Sequence, residues 1–332
     1  MQPIPIFENV QFDQFHDEIV AGNQPAVIRS LASDWPSVAA AQQSPTAIVE
    51  YLKALDTDAV ISALVGEPRI AGRFFYSDDL TDVNFQRAQV TLSIGLDRLL
   101  TIADHAEPYA IALQAIQLHR ALPAFKPNNP QPLLAPSIEP TMWVSNRSTV
   151  APHYDVHDNL ACVVAGQRRF TLFPPEQIDN LYPGPILNAP GGVPVSMVDV
   201  NNPNLNLYPN YSIAEKSGMQ ALLEPGDGIF IPALWWHGVD SLQSLNILVN
   251  YWWGGDTETK VSPNDSLLHS MMSIANLDSS KRQAWQHYFN YYVFKSGADH
   301  TAHLPSDLQD IVANLSPEQE AELRAFLIKQ LQ

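Results

Sequence analysis

Cysteine is nearly absent: Cys162 is the single one in 332 residues. One thiol closes no internal disulfide, which rules out a disulfide-stapled scaffold and fits a reducing compartment. It lies in Leu160-Ala161-Cys162-Val163-Val164, an apolar run in which a thiol packs rather than reacts. Basic residues are scarce as well, 18 Lys and Arg against 35 Asp and Glu, giving a formal net charge of −17. A chain that grips phosphate backbones presents a basic face, so nucleic acid is not the expected partner. Net charge describes only the average surface, and a local basic pocket stays open. No apolar run approaches the length of a membrane span. The opening Met1-Gln2-Pro3-Ile4-Pro5 has neither the basic nor the apolar region of a secretory signal. The expected setting is the cytoplasm, away from membranes.

What is present points to a β-rich centre. Hydrophobic residues make up 45% of the chain and charged residues 16%, a globular balance. The 27 prolines, many beside glycine or asparagine, call for many turns rather than a helical bundle. Three zones follow. Residues 1–105 mix short strands and helices: Pro25 to Arg29 and Gly72 to Tyr76 read as strands, Ala47 to Leu55 and Ser93 to Ala103 as helices. Residues 106–255 form the β-rich core. There, Asn159 to Ala165 and Arg168 to Phe173 are apolar runs joined at Gly166-Gln167, a hairpin signal. Pro225-Gly226-Asp227-Gly228 is a turn before a short strand, and Leu181 to Tyr211, rich in Pro, Gly and Asn, is a long loop. Residues 256–332 read as helical. Ser316-Pro317 supplies an N-cap and a first-turn proline, and Leu323, Phe326, Leu327 and Leu331 share one helical face. Trp285 to Phe294 carries an aromatic stripe at helical spacing, either packed on the core or offered to a second copy of the chain.

The chemistry concentrates in His153-Tyr154-Asp155-Val156-His157. Alternate residues of an extended strand share a face, so His153 and Asp155 point one way. A second segment, Trp235-Trp236-His237, follows a turn and a short strand, and in a closed barrel its histidine can reach the first pair. Two imidazoles and a carboxylate suit iron(II), holding one face of its octahedron and leaving three positions open. His157 is expected beside the metal rather than on it, since a fourth ligand would close a needed position. Trp235 and Trp236 are expected in the core.

The runs Pro152 to Pro175, Glu224 through His237 and Val249-Asn250-Tyr251-Trp252 resemble the cupin-like JmjC hydroxylases. Within that family they look like the branch that contains the asparaginyl hydroxylase of the hypoxia-inducible factor. The resemblance implies a mainly β fold, a double-stranded β-helix (jelly roll), flanked by N-terminal α/β elements and C-terminal helices. It implies Fe(II), with 2-oxoglutarate and O2 as cosubstrates. His153, Asp155 and His237 match the family's iron ligands. Arg168 falls where the family places a basic residue for the far carboxylate of 2-oxoglutarate. Asn159 and Asn250 match asparagines of the cosubstrate pocket, and Tyr109 matches a tyrosine that touches the same carboxylate. Two positions depart. Val150 replaces a threonine, so one cosubstrate hydrogen bond is missing or comes from Thr149. Pro194-Val195 stands where the asparaginyl hydroxylase has an Arg-Gln clamp, so a target would be gripped differently. The implied activity is hydroxylation of a C–H bond on a protein, peptide or small-molecule substrate, with a homodimer formed through the C-terminal helices. Another metal-binding cupin enzyme, or a non-catalytic JmjC-like regulatory protein, remains as an alternative.

Overall fold

The computed structural model describes residues 1–254, 262–294, 303–305 and 316–330. The chain divides into two compact units, Met1–Glu258 and Thr259–Gln332. Among the described residues, the first unit holds two sheets of six and nine strands. In the six-stranded sheet the neighbours run β1 (Gln2–Pro3), β12 (Met219–Leu223), β11 (Arg168–Phe173), β14 (Trp236–Ser241), β9 (Ser148–His153) and β5 (Arg73–Phe74). In the nine-stranded sheet they run β2 (Ile6–Glu8), β3 (Ala26–Arg29), β13 (Gly228–Ile231), β10 (Asp158–Ala165), β15 (Asn246–Trp253), β8 (Pro140–Ser145), β7 (Ala110–Gln117), β4 (Val60–Gly66) and β6 (Gln86–Thr91). The strands of the first 105 residues are thus built into both sheets.

Strand alternation divides the core in two. On β10, Leu160, Cys162 and Val164 face a layer that contains Ile48, Leu52, Leu96 and Phe125. Ala161 and Val163 face the other way, onto Phe170, Leu172, Ile229 and Trp235. A strand buried on both faces reads as one continuous apolar run, as this one does. The helix Pro45–Lys53 forms where the sequence indicates: Ser44 Oγ accepts from Ala47 N at 3.0 Å, Pro45 opens the first turn, and Ile48, Val49 and Leu52 are buried. Both Trp235 and Trp236 are buried, and Cys162 is fully buried, which pushes its thiol pKa up to about 12.

The expected hairpin at Gly166-Gln167 does not form. Strand β10 pairs with β13 and β15, whereas β11 pairs with β12 and β14. Each strand already has two partners, so the short turn carries the chain from one sheet to the other. Gly166 makes this crossing with φ +74, and a Cβ there would lie 2.3 Å from Asn246 Oδ1.

In the second unit, the helices Pro263–Ser273 and Ser279–Tyr292 are capped by Ser262 and Asp278. The helix Pro317–Gln330 starts with a capping box. Ser316 Oγ accepts from Gln319 N at 3.3 Å, and Gln319 Oε1 accepts from Ser316 N at 2.8 Å. Trp285, Tyr288, Tyr292 and Phe326 are exposed, and Leu331 lies outside the described residues. Among the described residues no helix is long and apolar enough to cross a membrane.

Candidate metal centre and its cavity

The antiparallel ladder of β9 and β14 sets His153 directly opposite His237. Their rings lie 4.4 Å apart, centroid to centroid. Asp155 Oδ2 is 3.7 Å from His237 Nε2. One ligand atom from each of His153, Asp155 and His237 can be chosen so that all lie within 4.8 Å of one another. Asp155 arrives by a different route from the one alternation implies. Strand β9 ends at His153, and Asp155 sits on the following loop. The loop is held by Leu234 N, which donates to Asp155 O at 2.7 Å. Leu234 itself adopts a left-handed conformation, φ 65, and ties the loop of Asp155 to the segment that leads into His237.

Both imidazoles are oriented by backbone. His153 Nδ1 lies 3.0 Å from Ala151 O and His237 Nδ1 lies 3.0 Å from Trp235 O. A carbonyl can only accept, so each Nδ1 carries the proton and each Nε2 keeps its lone pair for a cation. Burial, helped by the neighbouring His153, holds the His237 imidazole down to about 4, so it stays neutral near pH 7. Among the described residues no further histidine or carboxylate joins the cluster, and His157 stays outside it.

The three side chains open into a cavity of about 620 Å³. Arg168, Asn159 and Asn250 line it too. Arg168 is 6% exposed, its Nε is buried without a hydrogen-bond partner, and no carboxylate pairs with it among the described residues. Burial alone lowers its guanidinium pKa to about 10. Asn250 and Asn159 form a relay: Trp143 Nε1 donates to Asn250 Oδ1 at 2.8 Å, and Asn250 Nδ2 donates to Asn159 Oδ1 at 3.1 Å. The relay fixes both amides at the cavity wall.

Two expectations need correction. Tyr109 is 46% exposed and is absent from the cavity lining; its backbone carbonyl accepts from Asn146 Nδ2. It precedes β7 at the rim of the sheet and is not brought to the site. Thr149 does not replace the missing threonine. The β9–β14 register shifts between His237 and Val239, so β9 carries one extra residue beside Pro152. The bulge moves Val150 and Ser148 onto the cavity face and turns Thr149 outward, where its Oγ1 donates to Asp240 at 2.8 Å. Sequence reading missed a cluster of hydroxyls on the cavity side. Ser241 lies opposite both Arg168 and Ser148 across the strands, and Ser145 joins them at 3.4 and 3.1 Å. Alternation from His237 through Val239 points to Ser241; nothing local announces the bulge that brings in Ser148. Pro194-Val195 forms an apolar wall: Val195 is buried and lines the cavity, pinned by Ser196 N to Pro152 O at 2.7 Å.

The cupin-like domain family matches residues 12–259. Over 112 residues the chain is 43% identical to lysine-specific demethylase JMJ31 of Arabidopsis thaliana, which covers 33% of this chain and 20% of that protein. Over 101 residues it is 40% identical to tRNA wybutosine-synthesizing protein 5 of Danio rerio, covering 30% of this chain and 28% of that one. A longer match, 26% over 260 residues, is with lysine-specific demethylase 8 of Danio rerio and covers 75% of this chain and 58% of the relative. In each case the chain spans less than two thirds of the relative's own length. The family match takes in every strand of both sheets but β1 and β2, and every cavity residue named so far, and on that ground the chain belongs to the cupin-like domain family.

Proposed function

We propose that the chain is a non-haem Fe(II), 2-oxoglutarate-dependent oxygenase that hydroxylates a C–H bond, with a protein or peptide side chain as the substrate. One observation carries the reading: a buried guanidinium with no counter-ion among the described residues, Arg168, shares a cavity with two free imidazole nitrogens and a carboxylate. A buried cation needs an anion, and a dicarboxylate that reaches from the metal to Arg168 supplies it. That arginine favours this reading over a cupin of another kind or a regulator without activity.

The residues fit both groups. His153 and His237 offer Nε2 atoms and Asp155 an oxygen, a donor set suited to Fe(II) that leaves coordination positions open. From His237 to Ser241 along β14 is about 13 Å at ~3.3 Å per residue, a span bridged by the dicarboxylate and the arginine stem together. When bound, iron, 2-oxoglutarate and O2 supply the oxidation that places one oxygen atom on a C–H bond and leaves succinate and carbon dioxide. The protein's own part is holding and shielding. Arg168 neutralises the far carboxylate, with Ser145, Ser148 and Ser241 as hydroxyl partners around it. The Nδ1 protons stay committed to Ala151 O and Trp235 O, which fixes both ligand rings. Phe170, Val239, Ile231 and Leu248 keep the floor dry. The exposed aromatic face of Trp285, Tyr288 and Tyr292 is the surface we assign to pairing with a second copy. The test is succinate release from 2-oxoglutarate in air with Fe(II). Wild type turns it over slowly without substrate; Asp155→Ala keeps its circular dichroism spectrum and loses the turnover. Equal succinate from both proteins would end the proposal.

A further inference from the structure

Beyond the metal ligands the cavity continues under a shelf made by β7, β4 and β6, the strands that extend the nine-stranded sheet past the barrel. Cross-strand register aligns their inward side chains. Ser62 pairs with Gln114, and Leu64 with both Ala112 and Arg87. All five line the cavity. Strand β7 carries an extra residue between Leu113 and Ile116, with Ala115 left-handed at φ 48. A bulge of this kind re-aims the side chains beside it, here Gln114.

Three polar groups on the shelf, the exposed Arg87 and the half-buried Gln114 and Ser62, keep donor capacity that no described side chain takes up. Arg87 Nη2 donates to Pro190 O at 3.0 Å, and its guanidinium lies 5.4 Å from the Phe85 ring centroid. These contacts orient it but leave its charge unopposed, since among the described residues no carboxylate pairs with it. Neither the Gln114 amide nor the Ser62 hydroxyl bonds to another described residue. Among the described residues Asp155 is the only carboxylate in the cavity lining, and it belongs to the candidate metal cluster. The cavity is therefore locally cationic in a chain of net charge −17.

Resting on the oxygenase reading above, we propose that the shelf binds a carboxylate of the substrate. Arg87 is its cationic anchor and Gln114 and Ser62 are hydrogen-bond donors beside it. The preferred substrate is thus an acidic side chain in a peptide. A cationic side chain such as a methylated lysine meets the Arg87 guanidinium and no free carboxylate, and a site that leaves a charge unpaired discriminates strongly against it. Steering by the acidic exterior favours cations, so selection for an acid has to come from these local contacts.

The test uses the full chain loaded with Mn(II) and 2-oxoglutarate, and three probes: acetyl-Gly-Asp-Gly-amide, its asparagine analogue and its lysine analogue. Paramagnetic broadening of the peptide proton signals reports approach to the metal. The aspartate peptide binds best and the lysine peptide worst. Arg87→Gln weakens the aspartate peptide about tenfold, the scale of one lost charge-assisted contact, and brings the three peptides together. Arg87→Lys restores part of the preference, and Arg87→Glu reverses it toward lysine. N-acetylaspartate amide, which has no flanking residues, binding as well as the peptide supports the same subsite for a free acid. A lysine peptide that binds wild type as tightly as the aspartate peptide overturns the proposal. So does an unchanged preference in Arg87→Gln, or no broadening of the aspartate peptide at millimolar concentration. Calorimetry of 2-oxoglutarate alone separates the two readings. If it fails to bind, the oxygenase proposal falls, and the shelf is then judged on the metal-free protein by tryptophan quenching with the same peptides.

Discussion

Replacing Arg168 with methionine should have two opposite effects, and the pair is more diagnostic than either alone. The guanidinium is 6% exposed, and burial lowers its pKa from 12.5 to about 10. At 1.36 kcal/mol per pH unit this corresponds to roughly 3 kcal/mol of uncompensated desolvation. The sign follows from proton binding. The unfolded chain holds this proton more tightly, so the penalty on the fold is fully present below about 10 and fades only above that. At neutral pH, Arg168→Met removes the penalty and keeps most of the stem's apolar contacts with its neighbours. The ligand-free midpoint should rise by about 2–5 °C, since part of the gain is lost to imperfect packing. The affinity for 2-oxoglutarate should fall by roughly 2–5 kcal/mol, the cost of leaving one partner of a desolvated ion pair alone. Differential scanning fluorimetry with and without Mn(II) and 2-oxoglutarate reads both. Wild type gains stability from the cosubstrate, while the variant starts higher and gains almost nothing. A variant that melts lower without ligand, or binds 2-oxoglutarate as wild type does, would refute the account of this residue.

Three further outcomes follow from the same geometry. With His237 held near 4 against an ordinary 6.5, the unfolded state takes up the proton first, so metal-free protein loses stability as pH falls from 6.5 to about 4. Urea midpoints at neutral pH and inside that window measure it, and His237→Phe should flatten the dependence. Gly166→Ala combines a left-handed backbone at φ +74 with a Cβ 2.3 Å from Asn246 Oδ1, and should cost at least about 2 kcal/mol of unfolding free energy in denaturant. Asp240→Ala removes the acceptor shared by Thr149, Asn201 and Arg169, so it should destabilise by roughly 2–4 kcal/mol in thermal or urea unfolding. It should also speed proteolysis of the loop that carries Asn201.

That His153, Asp155 and His237 come together was legible because their residue types and turn context are unusual. His153, Asp155 and His237 stand where a strand ends and where a Pro-Gly-Asp turn precedes another strand. The turn's role is visible in Asp227, which accepts from Arg29, Ser30 N and Glu224 N. What the sequence could not display was non-local pairing. The Gly166 turn looks the same whether its strands pair together or join different sheets, and only the partners β12, β13, β14 and β15, all later in the chain, decide. The bulge beside Pro152 is equally silent, yet it decides that Ser148 rather than Thr149 faces the cavity. It is accommodated by Gly238, where a Cβ would meet Pro152 at 3.1 Å. Tyr109 failed for a simpler reason: proximity to β7 in sequence does not fix which side of the rim a loop residue faces. Arg87 and Gln114 carry no motif at all, and emerge only when β4, β6 and β7 are laid side by side.

The central claim is that His153, Asp155 and His237 hold ferrous iron with room left for a chelating 2-oxo acid. The most direct measurement is anaerobic absorption spectroscopy of the Fe(II)-loaded protein titrated with 2-oxoglutarate. The account predicts a weak visible charge-transfer band that saturates at one equivalent, shifts its half-point to higher concentration in Arg168→Met and vanishes in Asp155→Ala. Wild-type protein that binds iron yet shows no band, or a band that survives in Asp155→Ala, would contradict it.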